Sequence, residues 1–389
     1  MSRIHEVWAL DAVMQKIAEQ VQALEERRNG FAAILRAVRL EIDLRTELPL
    51  AQQHILEDHL AVRVKPTDLT GLRVCGVDGG LLRKSLRGIE LVVTRAHATI
   101  FEYPPSGRVS AEYFPHVSSP PLVKAELDPI SWREAEVNAS LERLKAELQV
   151  AISVQDHHTS ELLLLDGSLS PQIGDRPSTE SPFGTKYQEV QSLYNNLYTK
   201  SEETGTLLAG IVKDSRSNHF VKLLGELLPH LIRRYSKLAS LLEIDYRNVL
   251  RSSYDTDFFF RVLEVGERSS AFRLQDVQFD KTEADSQPTR KLHNIVCFYF
   301  RTAKYDHPFR VEVFTGSHDP LSIVNKVSAI LMPMSSNNEE FGLPAVLIDA
   351  DSQARLIERD LEFLYRQLAE RIGLPSSMLK LRRDRMPFN

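Results

Sequence analysis

The stretch that most constrains the fold of this chain is a run of four leucines, residues 162–165, which Asp166 and Gly167 follow. An uninterrupted apolar run of this kind is typical of a strand that is buried on both faces, as in the parallel part of a sheet. Gly167 and Ser168 are expected to end the strand. The sequence therefore predicts a carboxylate at a strand's carboxyl end, where ligands bind in open sheets.

A second apolar run has the same design. Residues 72–77 precede Asp78, Gly79 and Gly80, and we expect this strand also to end at its aspartate. Asp-Gly is a common turn sequence, so either aspartate alone could simply mark the end of a strand. If the two strands are adjacent and parallel, however, Asp78 and Asp166 lie within reach of one hard divalent cation.

The composition is that of a globular protein, with 42% apolar and 26% charged residues in 389. This length suffices for about two or three domains, or for one domain with large insertions.

Cys75 and Cys297 both lie in apolar runs, which predicts core thiols in a reducing compartment. The first residues lack a signal-peptide pattern and no apolar run is long enough for a membrane span, so we expect a cytoplasmic location. The net charge of −5 leaves room for a local basic groove.

Residues 5–62 are predicted to be helical. Apolar residues recur there at spacings of three and four, first at Val7, Leu10, Val13, Ile17, Val21 and Leu24, then at Phe31, Ile34, Leu35, Val38 and Ile42. Asn29-Gly30 between the two groups indicates a cap or a turn, and hence two helices. We expect this apolar stripe to cover the sheet, and a dimerisation arm is the alternative.

The chain after Asp78 is predicted to form a hairpin and then a long helix. A β-branched run at residues 89–101 is expected to pair with the first strand, and a third strand follows near residues 111–114. A helix at about residues 128–154 then returns the chain to the leucine strand. This order is that of the ribonuclease-H-like fold, in which a mixed sheet carries metal-binding acids at its strand ends.

Four glutamates of this helix are candidates for a third metal-binding carboxylate. At 100° per residue, Glu147 and Glu136 fall on one flank of the helix's apolar stripe and Glu134 on the other, while Glu142 points away from it. A third ligand should lie on a flank, which leaves Glu134, Glu136 and Glu147 open. For each of the four taken singly, solvent exposure is the commoner state.

Positive charge is expected at the same rim as the two aspartates. Residues 207–212 predict another buried strand, and Lys213 and Arg216 follow it. A phosphodiester substrate would need such charge there, and a salt-bridged strand end is the alternative.

The remaining chain carries weaker signals. It predicts helices at 220–242 and 352–371, strands at 295–301 and 309–314, a polar loop at 280–290, and a basic tail at Lys380, Arg382, Arg383 and Arg385.

Five motifs in order resemble the NurA nucleases. They lie at residues 76–80, 163–169, 212–217, 266–269 and 298–301, and the resemblance covers about residues 70–355. It implies a ribonuclease-H-like domain, manganese-dependent cleavage of DNA, a homodimer, and docking on the hexameric ATPase HerA during end resection or defence. The family's first and last core acids carry over to Asp78 and Asp166. Glu147 best matches the family's middle glutamate.

One motif departs from the family pattern. Where the family has Gly-Tyr-Pro, six residues and then His, this chain has Leu343 in place of the Tyr and Asp351 in place of the His. Asp351 can still bind a hard cation through its oxygens, or it can belong to the start of the last helix, where acids complement the dipole. A catalytically weak dimeric adaptor that regulates a ring ATPase is the alternative function.

The sequence thus predicts a metal-dependent DNA nuclease. We expect a helical extension at 1–65, a nuclease domain with helical insertions at 66–355, and a helix with a basic tail at 356–389. The expected ligands of Mn²⁺ or Mg²⁺ are Asp78, Asp166, Glu147 and Asp351, and Lys213 and Arg216 are expected to meet phosphate.

Overall fold

The computed structural model describes residues 2–45, 48–116, 119–273 and 294–382. The predicted loop at 280–290 and the basic residues Arg383 and Arg385 lie outside this range. The strands are β1 Ala61–Arg63, β2 Arg73–Leu86, β3 Ile89–Glu102, β4 Ser110–Phe114, β5 Leu122–Glu126, β6 Leu162–Asp166, β7 Leu207–Val212, β8 Glu267–Ser269, β9 Phe272–Arg273, β10 Ile295–Arg301 and β11 Phe309–Phe314.

The α-helices lie between and around these strands. They are α1 Ser2–Val38, α2 Pro49–His54, α3 Trp132–His157, α4 Gly184–Thr204, α5 His219–Arg234, α6 Tyr246–Arg251, α7 Asp255–Val262, α8 Pro320–Ser335, α9 Ala345–Ala354, α10 Glu358–Ile372 and α11 Ser376–Leu379. Short 3₁₀ segments occur at Ile173–Asp175 and Ser236–Glu243. Across the described helices, none combines the length and apolarity that a bilayer crossing requires.

The strands form one mixed sheet in the order β1-β8-β10-β11-β7-β6-β2-β3-β4, with β5 beside β3 and β9 beside β10. β6 runs parallel to both of its neighbours, β2 and β7. β2 and β3 form a long antiparallel hairpin, and α3 connects the outer strands to β6. This arrangement confirms the predicted ribonuclease-H-like sheet with flanking helices and a helical N-terminal extension.

The leucine strand β6 is buried on both sides, because helices cover both faces of the sheet. Leu162 and Leu164 pack in the layer that contains α8 and α9, whereas Leu163 and Leu165 pack in the layer of α3 and α4. Burial of each leucine contributes about 1.5–3 kcal/mol. β6 is therefore a rigid base for the carboxylate at its end.

The prediction that β2 ends at Asp78 is wrong. β3 pairs with β2 along its whole length, and β2 runs on to Leu86. Only the parallel pairing with β6 stops here, at Val77 and Leu165. Asp78 therefore lies level with Asp166, at the point where the pairing of β2 with β6 ends, which is the crevice position that the sequence predicts.

The predicted break at Asn29-Gly30 is also wrong, because α1 is one continuous helix. A glycine inside a helix costs about 1 kcal/mol. Burial of Phe31, Leu35 and Val38 on the following turns offsets that cost.

The two halves of α1 differ in their surroundings. Leu10, Val13, Ile17 and Val21 are between 45% and 62% exposed. The first half therefore does not cover the sheet, contrary to expectation. The second half packs against α5, α6 and α7 in one core cluster.

The last predicted helix is two helices. α9 ends at Ala354, and an extended segment precedes α10. Asp351 lies in the final turn of α9, so the alternative that it begins the last helix is wrong.

Candidate active site

Asp78 and Asp166 lie side by side on neighbouring parallel strands. Gly76 of β2 pairs with Leu164 of β6, and the two aspartates follow two residues later on the same sheet face, towards α9. Asp78 is 6% exposed, and the Asp166 side chain is 14% exposed. The two carboxyl groups are close enough to share a hydrogen bond. The predicted pairing of these aspartates is therefore present.

Burial and nearby negative charge dominate the environment of Asp78. Burial raises the pKa of Asp78 to about 9, and the carboxylates of Asp166 and Glu147 add to this effect. The Gly79 N–H donates to Asp78 Oδ1 over 2.6 Å and opposes it. The raised pKa favours the protonated form of Asp78, and a nearby cation would favour the charged form. Clustered carboxylates of this kind fit a hard divalent metal ion.

Glu147 of α3 lies against β2 from the other side of the sheet. It is 6% exposed, and a β-carbon on Gly79 would lie 2.5 Å from its Oε1. Arg143, one helical turn earlier, donates to Oε1 over 2.7 Å. Burial raises the pKa of Glu147 to about 7, Arg143 opposes the shift, and Asp166 adds to it.

The other candidate glutamates of α3 lie elsewhere. Glu134 closes the helix's capping box with Ser131, and Glu136 is exposed. Glu142 is buried between Lys124 and Lys186. The expected solvent exposure is therefore wrong for Glu142, and it is also wrong for Glu147. The two lysines come from β5 and α4, which the local helix pattern does not reveal.

Lys213 follows β7 and donates to Asp166 Oδ2. Burial alone would lower the pKa of Lys213, but the charges of Asp166, Asp78 and Asp351 raise it above its usual value. Asp351 is exposed on α9 yet close enough to act on this ammonium group. Arg216 is exposed in the loop after Lys213. The alternative predicted for Lys213, a salt bridge at the end of its strand, is thus present.

Within the described part of the chain, no three acidic, histidine or cysteine side chains converge in metal-binding geometry. Glu147 is directed to Arg143 and Asp166 to Lys213. A metal ion could bind either carboxylate only by displacing its present partner.

A buried pair that the sequence motifs do not indicate holds the loops of the site. Glu312 on β11 is 1% exposed and accepts hydrogen bonds from Ser168 Oγ at 2.7 Å and from the Leu169 N–H at 2.9 Å. Arg310 lies 2.7 Å from Glu312 and donates to Ser215 Oγ over 3.0 Å. The pair therefore joins the loop after Asp166 to the loop after Lys213. In the sequence, this pair is indicated by the alternation Arg-Val-Glu inside an otherwise apolar strand.

The motif at 266–269 does not contribute to this site. Glu267 on β8 pairs with Arg39 of the N-terminal segment, and the fully buried Arg268 pairs with Glu57. These ion pairs attach the N-terminal segment to the far part of the sheet.

Residues 72–356 match the family described as the NurA domain. The chain belongs to the NurA family. Its membership supports a nuclease function and confirms the resemblance found in the sequence motifs.

Solved structures of NurA proteins are similar along most of the chain. The NurA nuclease from Sulfolobus solfataricus is 14% identical with a TM-score of 0.48, over 92% of this chain and 97% of that chain. A NurA solved with manganese is 11% identical with a TM-score of 0.44, over 92% and 98%. An Endonuclease V from Bacillus subtilis is 13% identical with a TM-score of 0.33, over 79% and 88%. No curated protein matches this chain significantly in sequence.

Proposed function

We propose that this chain is a deoxyribonuclease that requires a divalent metal ion. The observation that carries the proposal is the pair Asp78 and Asp166 on adjacent parallel strands, with Glu147 in contact with the same strand. These carboxylates would hold Mn²⁺ or Mg²⁺, both of which prefer oxygen ligands. Asp351 is proposed as an accessory acid, because its charge acts on the same Lys213.

The bound ion would supply an activated water and neutralise charge on the phosphate. The chain's own residues would position the reaction. Arg143 orients Glu147 in the metal-free protein. Lys213, once released from Asp166, places an ammonium group at the rim where the charge of a phosphodiester must be balanced. Arg216 is exposed on the following loop and is proposed to bind a phosphate of the DNA backbone.

We further propose the cellular setting that the family resemblance implies. The chain would act as a homodimer on a HerA-like hexameric ATPase, in DNA end processing, repair or anti-phage defence.

A weakly active adaptor of a ring ATPase is the second candidate function. Leu343 favours it, because this residue is 8% exposed within the core cluster that contains α8 and α9. A leucine supplies no hydroxyl group where the family pattern has tyrosine.

Cleavage of linear DNA by the purified protein tests the proposal. Mn²⁺ should activate cleavage, and Asp78→Asn and Asp166→Asn should each abolish it while the fold is kept. Asp156→Asn is the matched control, since that aspartate forms an ion pair with Lys200 at the surface. Wild-type rates in either site variant would overturn the proposed carboxylate pair. A folded wild-type protein that is inert with both Mn²⁺ and Mg²⁺ would favour the adaptor.

A further inference from the structure

Trp132 is a large apolar side chain in an unusual place. It is the first residue of α3, and it is 61% exposed, although tryptophan is generally well buried. The guanidinium carbon of Arg83 lies 5.1 Å from the centroid of the Trp132 ring, and Arg83 also donates to the Trp132 carbonyl oxygen over 3.4 Å. With the cation over one ring face, the exposed fraction leaves the other face open to solvent.

The indole is held by a fixed backbone. Ser131 Oγ accepts from the Glu134 N–H at 3.2 Å, and Glu134 Oε2 accepts from the Ser131 N–H at 2.8 Å. This capping box fixes the first turn of α3, in which Trp132 lies. A planar group on a fixed turn loses little conformational entropy when another planar group stacks on it.

Both members of the pair belong to the elements that carry the candidate active site. Arg83 lies on β2, five residues beyond Asp78, which corresponds to about 17 Å of strand. It shares with Gly79 the sheet face that Glu147 contacts. Trp132 begins the helix that also carries Arg143 and Glu147. Arg83 and Trp132 therefore lie on the α3 side of β2, the side from which Glu147 contacts Gly79, in the part of β2 beyond its pairing with β6.

We propose that Trp132 and Arg83 form a stacking platform for an unpaired nucleobase of the DNA strand whose backbone enters the active site. This inference rests on the proposed function. Every base presents a π face, so an aromatic ring binds single strands with little regard to sequence. The Arg83 guanidinium adds a charge that suits a polyanion and a plane that suits a base. The ligand class is thus a single-stranded segment a few nucleotides from the scissile phosphate.

Tryptophan fluorescence tests the stacking directly. The chain has two tryptophans, Trp8 and Trp132, so Trp8→Phe leaves Trp132 as the sole tryptophan signal. A single-stranded oligothymidylate is added in the presence of a chelator, so that binding is measured without cleavage. Trp132 fluorescence should be quenched, and the quenching should saturate at the same DNA concentration as the fluorescence anisotropy of a labelled oligonucleotide.

Variants separate stacking from charge. Trp132→Ala should weaken oligothymidylate binding about tenfold, and Trp132→Phe should restore part of the loss. An abasic oligonucleotide should bind the wild type and Trp132→Ala equally, because it has phosphates without bases. Leu242→Ala is the control, since Leu242 is 69% exposed in the 3₁₀ segment that packs with α5. Its affinity should stay at the wild-type value.

Unchanged affinity of Trp132→Ala together with unquenched fluorescence would overturn the platform, and Trp132 would then be free to serve as a protein contact. If that variant still cleaves DNA with Mn²⁺ at the wild-type rate, the nuclease proposal survives without the platform. Failure of the wild type to cleave any DNA would instead remove the proposed function itself.

Discussion

Gly79 and Glu147 are in such close contact that a single added carbon atom would collide. The β-carbon of an alanine at position 79 would lie 2.5 Å from Glu147 Oε1 and 2.7 Å from its Cγ. The glycine after Asp78 therefore allows α3 to bring its carboxylate to the strand that carries the aspartate. Position 79 therefore requires glycine for this close contact, and not for the turn that the Asp-Gly sequence suggests.

Gly79→Ala should displace Glu147 and reduce kcat/KM by about 100-fold, because small shifts of a positioned group carry costs of that order. Circular dichroism and steady-state cleavage would measure fold and rate. Gly30→Ala is the control, since nothing lies within 4 Å of the added carbon and alanine is favoured in a helix by about 0.5–1 kcal/mol. Equal cleavage rates for Gly79→Ala and the wild type would contradict the role of this contact.

Mn²⁺ affinity should rise with pH. The pKa values of Asp78 and Glu147 are raised to about 9 and about 7, so both carboxyl groups are protonated below pH 7 and must release protons to bind a metal ion. The affinity should therefore increase between about pH 6 and pH 9, by up to about tenfold per unit for each proton released. Calorimetry at four pH values would show it. A flat profile would exclude these groups as ligands, and Asp78→Asn should have a shallower slope.

The metal-free protein should show the opposite trend in stability. Because the folded state holds the Asp78 proton and the unfolded state releases it near its usual pKa, folding stability from this group is lost as pH rises from about 4 to about 9. In a chelator, Asp78→Asn should therefore have a higher Tm than the wild type, and the difference should grow with pH. A Tm difference that shrinks over this range would contradict the raised pKa.

Asp351→Ala should raise the Mn²⁺ concentration for half-maximal cleavage severalfold, because it removes one of the acids that act on the Lys213 region. The same change should slightly stabilise the fold, since an acid in the last turn of α9 opposes the helix dipole. An unchanged half-saturation point would leave Asp351 without a role at the metal.

Lys213→Met should tighten metal binding while lowering kcat. The substitution removes the ammonium group that is bonded to Asp166, and with it the charge proposed to meet the phosphate. Metal titration and single-turnover cleavage would separate the two effects. Weaker metal binding together with an unaltered kcat is the outcome that contradicts this assignment.

Glu312→Ala should destabilise the protein by about 3–5 kcal/mol, because it leaves Arg310 buried without its carboxylate partner. Urea unfolding would measure the loss. Glu189→Ala is the matched control, since Glu189 is 50% exposed in its pair with Lys145 and its removal should have little effect. Similar unfolding midpoints for the two variants would contradict a structural role for the buried pair.

The sequence was sufficient for the parts of the fold that local patterns determine. The strand at 162–165, its aspartate and the hairpin at 89–101 follow from apolar runs and β-branched residues, and the structure contains all three. Where Asp78 lies within β2 depends instead on pairing with β3, a contact between strands. The continuity of α1 through Gly30 depends on distant packing.

The candidate site was only partly accessible to the same reasoning. Asp78 and Asp166 stand in motifs, whereas Glu147 could not be distinguished from Glu136 by helix geometry alone. The structure separates them through burial, because one contacts β2 and the other is exposed. Arg143 and Glu312 were missed although each has a local signal, an i,i+4 pair with Glu147 and a pair with Arg310 two residues away, because the burial of these charges depends on other elements.

The ion pair between Lys213 and Asp166 would make the protein's own ammonium group a competitor for the proposed metal ion. The ammonium group is tethered to the site, so its local concentration is fixed by the chain and does not depend on the solution. A divalent ion at the proposed site would have to displace it, and the concentration of free metal needed for half-occupancy would rise accordingly. In a cell this would keep the carboxylates occupied by a harmless cation until metal and DNA phosphate arrive together, since the phosphate offers the displaced ammonium group a new partner.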